Sequence, residues 1–243
     1  MKNELVSLNI DNLTSLWRSV GQKEQAHQRR QDVEIVDVNQ SEWPNRIWFV
    51  QGAEVEDLPL VEQIMSEASN TLTLSYMDVL NDGLDVQSVG LEQTSELIGM
   101  GMALSNDYPV DSELELEAVK NLDQASDWVS YFEQAFGYRI NSSQLVHPYP
   151  STVFYIIKYQ GQPAGTALVH HTDRVVGIHS MGVIPSMRRK GLARLVMHNI
   201  LSNALEQGYE YATLQASAMG KGLYEQLGFE EHFLMKNYRL PKK

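Results

Sequence analysis

In the stretch MGVIPSMRRKGLARLV (181–196), an apolar strand runs into Pro185, which has no N–H and cannot continue a sheet interior. Three cations follow, Arg188, Arg189 and Lys190, and then an amphipathic helix predicted over 189–208. Its apolar side holds Leu192, Leu195, Val196, Ile200 and Leu205, and Gly208 stops it. The first turn of a helix leaves N–H groups without partners, and the aligned peptide dipoles place about half a positive charge there. Gly191 lets an anion approach the backbone, and Ala193 is nearly as permissive. Strand, cationic turn and helix start together predict a pyrophosphate cradle.

Two familiar phosphate loops are excluded. MGKGLY (219–224) has a Gly-Lys pair but neither the first glycine nor the hydroxyl of the ATP-binding GxxxxGK[ST]. GxGxxG fails because Gly220 and Gly222 are followed by Glu225 where a third glycine is needed.

The charge pattern around the cradle agrees with an anionic ligand. The chain has 243 residues and a net charge of −12, from 19 basic and 31 acidic residues. Yet 32 residues between Asp173 and Glu206 contain no carboxylate, where about four are expected from the average density. The overall acidity speaks against a general nucleic-acid binder. The absence of cysteine excludes disulfides, thiolate metal sites and cysteine nucleophiles. No secretory apolar core opens the chain and no apolar run reaches about 18 residues, so a soluble, cytoplasmic protein without membrane contact is expected.

The remaining pattern predicts a mixed α/β fold. After residue 113 come a strand (113–121), a helix (123–137), a hairpin (153–160 and 163–171) and a strand (175–183). The 189–208 helix, a strand (209–217), a short helix (222–229) and a last strand (232–240) complete this half. Before it, a helix is expected around Asp11–Ser19, with Asn9 or Asp11 as cap, and another over Leu58–Ala68. Strands are expected near 33–38, 46–50, 72–76 and 99–104, with a short helix at Leu91–Leu97. The polar stretch SNDYPVDSE (105–113) is the expected boundary, giving domains 1–110 and 111–243.

Arg188-Arg189-Lys190-Gly191-Leu192-Ala193 resembles the Arg/Gln-x-x-Gly-x-Gly/Ala motif of the GNAT superfamily of acetyl-CoA-dependent N-acyltransferases. The preceding Val183-Ile184-Pro185 and the later TLQASAMGKGLYEQLGF (213–229) are similar to the family's flanking elements. The resemblance covers about Glu113 to Leu240. More faintly, PNRIWFV (44–50), the helix at 58–68 and GMGMAL (99–104) resemble the amino-terminal domain of two-domain members, a degenerate copy of the same fold. No Arg-x-x-Gly-x-Gly/Ala occurs in residues 1–110, so that half is expected not to bind CoA.

The resemblance implies acetyl-CoA as donor and a primary amine of a small molecule, amino acid or peptide as acceptor, in a monomer or homodimer that uses no metal. Strands 175–183 and 209–217 would splay, with Met181, Gly182 and Val183 offering backbone groups to the pantetheine arm, and Ser217 a further contact. Tyr224 stands at the family's general-acid position, and a phenol with pKa near 10 keeps its proton at neutral pH. Gln215 stands where many members have a glutamate base, so His179, or a backbone-held water, is the base expected instead. A CoA-binding sensor without catalysis is the rival reading, and a nucleotide-binding protein a third. His170 and His171 are adjacent on a strand and cannot jointly hold a metal. His147 and Tyr149 line either the amine pocket or a rigid Pro-rich connector. Trp43 and the methionines of 99–104 are packing or pocket residues at the domain junction.

Overall fold

Apolar residues of the first helix recur at Leu13, Leu16, Trp17 and Val20, a helical stripe, and in the computed structural model this stripe is buried. The structure describes residues 2–50, 52–79, 84, 86–104 and 108–241. Helix α1 (Lys2–Lys23) is more than twice as long as its expected core, so the expected caps Asn9 and Asp11 lie in its interior, where Asn9 and Asn12 are fully buried. Strands β1 (His27–Arg30), β2 (Val33–Val36) and β3 (Arg46–Phe49) follow as an antiparallel run. Helix α2 (Leu58–Glu67) then leads to β4 (Thr73–Asp78), parallel to β3. The helix expected at Leu91–Leu97 is instead the start of β5 (Glu92–Ala103). Its alternation suits a two-sided strand, with Leu97 packing on one core and Met100 and Met102 on another.

The second half follows its expected order: β6 (Leu114–Ala118), α3 (Leu122–Phe136), a one-turn α4 (Ser142–Leu145), β7 (Thr152–Tyr159), β8 (Gln162–Thr172) and β9 (Val175–Val183). Then come α5 (Leu192–Glu206), β10 (Tyr211–Ala216), α6 (Lys221–Gln226) and β11 (Glu230–Arg239). The Asn121 side chain caps α3 by accepting from the Gln124 N–H at 2.9 Å, and left-handed Gly137 (φ 80°) ends it.

All eleven strands form one sheet in the order β1-β2-β3-β4-β11-β5-β10-β9-β8-β7-β6. From the β1 flank two antiparallel pairings, and from the β6 flank three, lead to a parallel pair, β3·β4 or β9·β10. Each half's last strand closes the other's run, because β5 pairs with β10 and β11 with β4. β5 and β11 also pair with each other at the centre. Helices α1 and α3 pack their aromatic and aliphatic side chains (Leu16, Trp17, Trp128, Phe132) into one buried cluster, while α5 and α2 bury theirs in two others. Alternation along β5 and β11 puts the α1–α3 cluster on one sheet face and the other two on the opposite face.

Candidate active site

The cradle begins where β9 leaves the sheet. Pro185–Met187 makes one 3-10 turn, Arg189 is left-handed (φ 63°), and Gly191, also left-handed (φ 75°), is the N-cap of α5. No side chain caps that helix. Among the described residues, the five successive backbone N–H groups from Arg189 to Ala193 have no hydrogen-bond acceptor. A Cβ on Gly191 would meet no atom within 4 Å, so the glycine is required by its φ and faces open space. A cleft of about 330 Å³ lies there, lined in part by Val183, Arg189, Gly191, Leu192, Ala193 and Leu223. Arg189 and Lys190 are exposed beside it. Arg188 is placed differently from its neighbours. Its guanidinium donates to Val183 O (3.0 Å) and Ala135 O (3.2 Å), tying the turn to the end of β9 and to α3.

The splay is present. β9 and β10 pair from Val175↔Tyr211 to Ile178↔Leu214 and no further, leaving His179 to Val183 without a β10 partner. At the same place β9 bulges against β8: left-handed Ser180 (φ 49°) and a register shift between Thr166 and Leu168 mark the extra residue. The Thr166 hydroxyl donates to Ser180 O at 3.1 Å. A Cβ on Gly182 would stand 2.6 Å from the Phe136 ring, so glycine here allows α3 to press against the strand end. Met181 and Val183 flank it, half-buried.

Across the gap, Ser217 anchors the turn into α6: its hydroxyl accepts from Gly220 N–H at 3.2 Å. Tyr224, on α6, packs its ring edge-on against Phe229 with centroids 5.9 Å apart. Its hydroxyl makes no hydrogen bond to a described residue, and burial pushes the phenol pKa up to about 12.

His179 sits at the root of the splay in a chain of amides. Asn9 Nδ2 donates to Met100 O (2.9 Å), and Gln215 Nε2 donates to Asn9 Oδ1 (2.8 Å). Gln215 Oε1 then faces His179 Nδ1 at 3.1 Å. On the other side Asn12 Nδ2 donates to His170 O (3.0 Å), so its Oδ1 faces His179 Nε2, again at 3.1 Å. Asn12 is oriented by a backbone carbonyl and Gln215 by the Asn9 oxygen, so each imidazole nitrogen faces an amide oxygen, and the neutral ring donates its one N–H to one of the two. Burial, reinforced by His170, lowers the His179 pKa to about 3 and outweighs the opposing bond to Gln215. The two amides cover both nitrogens of this buried ring, so an incoming amine reaches neither of them in this arrangement. Asn9 and Asn12 were missed in the sequence because polar residues inside a helix read as breaks. The available signal was their register with Leu13, Leu16 and Val20 on the buried stripe.

The other histidines lie apart from the cradle. His170 bonds Ser15 (2.8 Å) and Thr152 (2.7 Å), while His171 stacks on Tyr209 with centroids 4.6 Å apart, so the adjacent pair does face opposite ways. Burial takes the His170 pKa down to about 4. Tyr149 lines a second cleft of about 550 Å³ with Ser15, Ser19, Lys23 and His170, where β8 turns into β9, at the sheet end away from the cradle. His147 pairs with Glu24 at 3.0 Å. Trp43 is a buried packing residue on the α1–α3 side. Among the described residues, no group of three or more His, Asp or Glu could hold a metal ion.

A mixed sheet whose parallel pair parts beside an uncapped, cationic helix start is a GNAT-type fold. Residues 116–229 match the acetyltransferase (GNAT) family. The uncharacterized N-acetyltransferase YjgM of Escherichia coli (strain K12) is 28% identical over 92 residues, 35% of this chain and 55% of that protein. The chain thus spans about half the length of this curated relative. A GCN5-related N-acetyltransferase from Kribbella flavida superposes with a TM-score of 0.71 at 15% identity, covering 100% of this chain and 96% of the other. Another, from Sphaerobacter thermophilus, gives 0.60 at 14% identity over 86% of this chain and 76% of the other. These two likenesses carry the fold, and the first extends it over both halves.

Proposed function

We propose that the chain is an N-acetyltransferase that moves an acetyl group from acetyl-CoA to a primary amine. The observation that carries this reading is the run of five unpartnered N–H groups over 189–193, opening on a cleft beside the splayed strands. Two exposed cations and a left-handed glycine suit a diphosphate there. Acetyl-CoA, when bound, supplies an activated thioester. Arg189, Lys190, Gly191, Leu192 and Ala193 hold its diphosphate, Arg188 fixes the turn, and Met181, Gly182 and Val183 offer backbone groups to the arm, with Ser217 shaping the opposite wall.

Tyr224 offers its O–H to the sulfur that leaves. With the phenol near pKa 12 and a thiol near 8.5, complete proton transfer is uphill, so Tyr224 stabilises the thiolate mainly by donating a hydrogen bond. The incoming amine loses its proton to water held in the gap. His179 acts by keeping Gln215, and through it the β10 edge, in place.

The halves divide the work: residues 111–243 hold the cofactor and 1–110 shapes the acceptor side, in a cytoplasmic protein. An antiparallel run leading to one parallel pair recurs from both flanks, with one extra strand on the second, which supports two related copies. The first-half turn equivalent to the cradle is acidic, with Glu56 and Asp57 in its first turn and Asp57 accepting from Glu54 N–H at 3.0 Å. It suits no anion. Thiol release from acetyl-CoA in the presence of an amine panel tests the reading. Release that depends on amine supports it, whereas tight acetyl-CoA binding with no release above background assigns the chain as a sensor.

A further inference from the structure

Ten arginines occur in this acidic chain, and they fall into two groups. Arg18, Arg29, Arg30, Arg139 and Arg174 each pair with a carboxylate. Arg188, Arg189 and Arg194 surround the cradle without one. The other two, Arg46 and Arg239, also have no carboxylate partner among the described residues, and Arg239 lies close enough to disfavour the charge on Arg46. Burial, the larger effect, lowers the Arg46 pKa as well. A cation withdrawn from water beside a like charge is costly unless an anion meets it.

The geometry shows where that anion fits. Arg46 lies over the Trp17 ring, 5.6 Å from its centroid. Its Nη1 donates to Ser75 Oγ (3.2 Å) and Asn237 Oδ1 (3.0 Å), which fixes the plane of the guanidinium. Nε and Nη2 make no hydrogen bond to a described residue and neither is a fully buried atom. This is the side-on edge that grips a carboxylate through two parallel bonds. Tyr138 stands within the field of both arginines, and its hydroxyl likewise has no described partner. Arg239 is held by one bond, Nε to Thr73 Oγ1 at 2.8 Å, leaving its Nη groups outward. The acid that acts on Tyr138 is Glu42, which accepts from Arg139 N–H at 2.9 Å.

This cluster borders the splay. β5 and β11 run beyond the end of β10: Ala216 pairs with Ile98, while Asn237 pairs with Ser95 further on. Tyr138 follows directly on α3, whose Phe136 ring lies where a Gly182 side chain would be. β11 stands two strands from β10, about 10 Å at ordinary spacing, and the three-residue offset along the strands adds about 10 Å.

Building on the acetyltransferase reading, we propose that Arg46, with Tyr138 and Arg239, binds the carboxylate of the acceptor, which is a peptide of about four residues acetylated on its α-amine. The two displacements, at right angles, make about 14 Å, which a tetrapeptide spans at about 3.5 Å per residue. A free amino acid, with both groups on one carbon, does not.

The test uses a pooled tetrapeptide library with free C-terminal carboxylates and the same pool amidated. Acetyl-CoA binding is first measured by calorimetry. The wild type is expected to release CoA with the free-acid pool at least tenfold better in kcat/KM than with the amide, the difference residing in KM. Arg46→Gln brings the ratio to within about twofold of unity. Should that variant fail to fold, Arg46→Lys, which keeps the charge and loses the fork, is expected to cut the ratio severalfold. Equal use of the two pools by the wild type, or a preference that survives the substitution, overturns the proposal while leaving the transferase reading intact. If acetyl-CoA does not bind, that reading fails, and binding of N-acetylated acid against amide pools to wild type and Arg46→Gln decides the Arg46 site by itself.

Discussion

Replacing Gly191 with alanine should weaken acetyl-CoA binding beyond what the cost to the backbone explains. Gly191 has φ 75° and ψ 2°, and an added Cβ meets nothing within 4 Å. The strain is therefore conformational, about 1–2 kcal/mol for a left-handed non-glycine residue. In a chain of this size that lowers Tm by about 2–8 °C. If the turn relaxes to escape the strain, the N–H groups from 189 to 193 no longer converge. Each lost charge-assisted bond is worth about 1.5–3 kcal/mol, so losing one or two weakens binding by about 10- to 20,000-fold. Gly208, at the far end of the same helix, supplies the control: its φ is 85°, and its Cβ also meets nothing within 4 Å. Gly208→Ala should lose similar stability and keep its affinity. Calorimetric titration with acetyl-CoA alongside thermal unfolding separates the two effects. Equal affinities for the two variants would refute the cradle as the binding element.

Three more outcomes are expected. Tyr224→Phe should lower kcat by about 10- to 100-fold with little change in acetyl-CoA affinity, since it removes a hydrogen bond to the leaving sulfur and keeps the ring; stopped-flow thiol release measures it, and unaltered turnover would remove the role. Stability should fall with acid. His170 and His179 are buried with pKa values lowered to about 4 and about 3, so the unfolded chain takes up their protons first as pH drops below about 6.5. Each contributes a loss of about 1.4 kcal/mol per pH unit until its folded value is reached, measurable by urea unfolding between pH 7 and 4.5. A flat profile there, once a His170→Asn, His179→Asn double variant is subtracted, would contradict the burial argument. Gly177→Ala should be severely destabilising, because its Cβ would lie 1.8 Å from Asn12 Oδ1 and force that amide off His170 and His179. Overpacking and the broken bonds together cost about 2–5 kcal/mol, read as a lower urea midpoint.

The second half was largely legible because its elements carry short-range signals. The β9–turn–α5 stretch combines an apolar run, a proline and a cationic helix start, each with a local physical cause. The first half was harder. GluGlnThrSerGluLeu at 92–97 has no strong period, and its strand conformation comes from pairing with β11 and β10, partners more than 100 residues away. Asn9 and Asn12 could not be assigned from spacing, since their role depends on carbonyls of β5 and β8. His179 was recognisable as a strand histidine at the splay. Its enclosure by two oriented amides was invisible, because one comes from α1 and the other from β10. Arg188 read as a ligand for phosphate, yet its reach to Val183 and Ala135 depends on how α3 docks at Gly182.

Backbone amide hydrogen exchange at Arg189, Lys190, Gly191, Leu192 and Ala193, with and without acetyl-CoA, tests the central claim most directly. These five amides should exchange rapidly in the free protein and become strongly protected on saturation, while the acidic turn at 54–57 stays unchanged. Binding that leaves the five amides as fast as before would contradict the account.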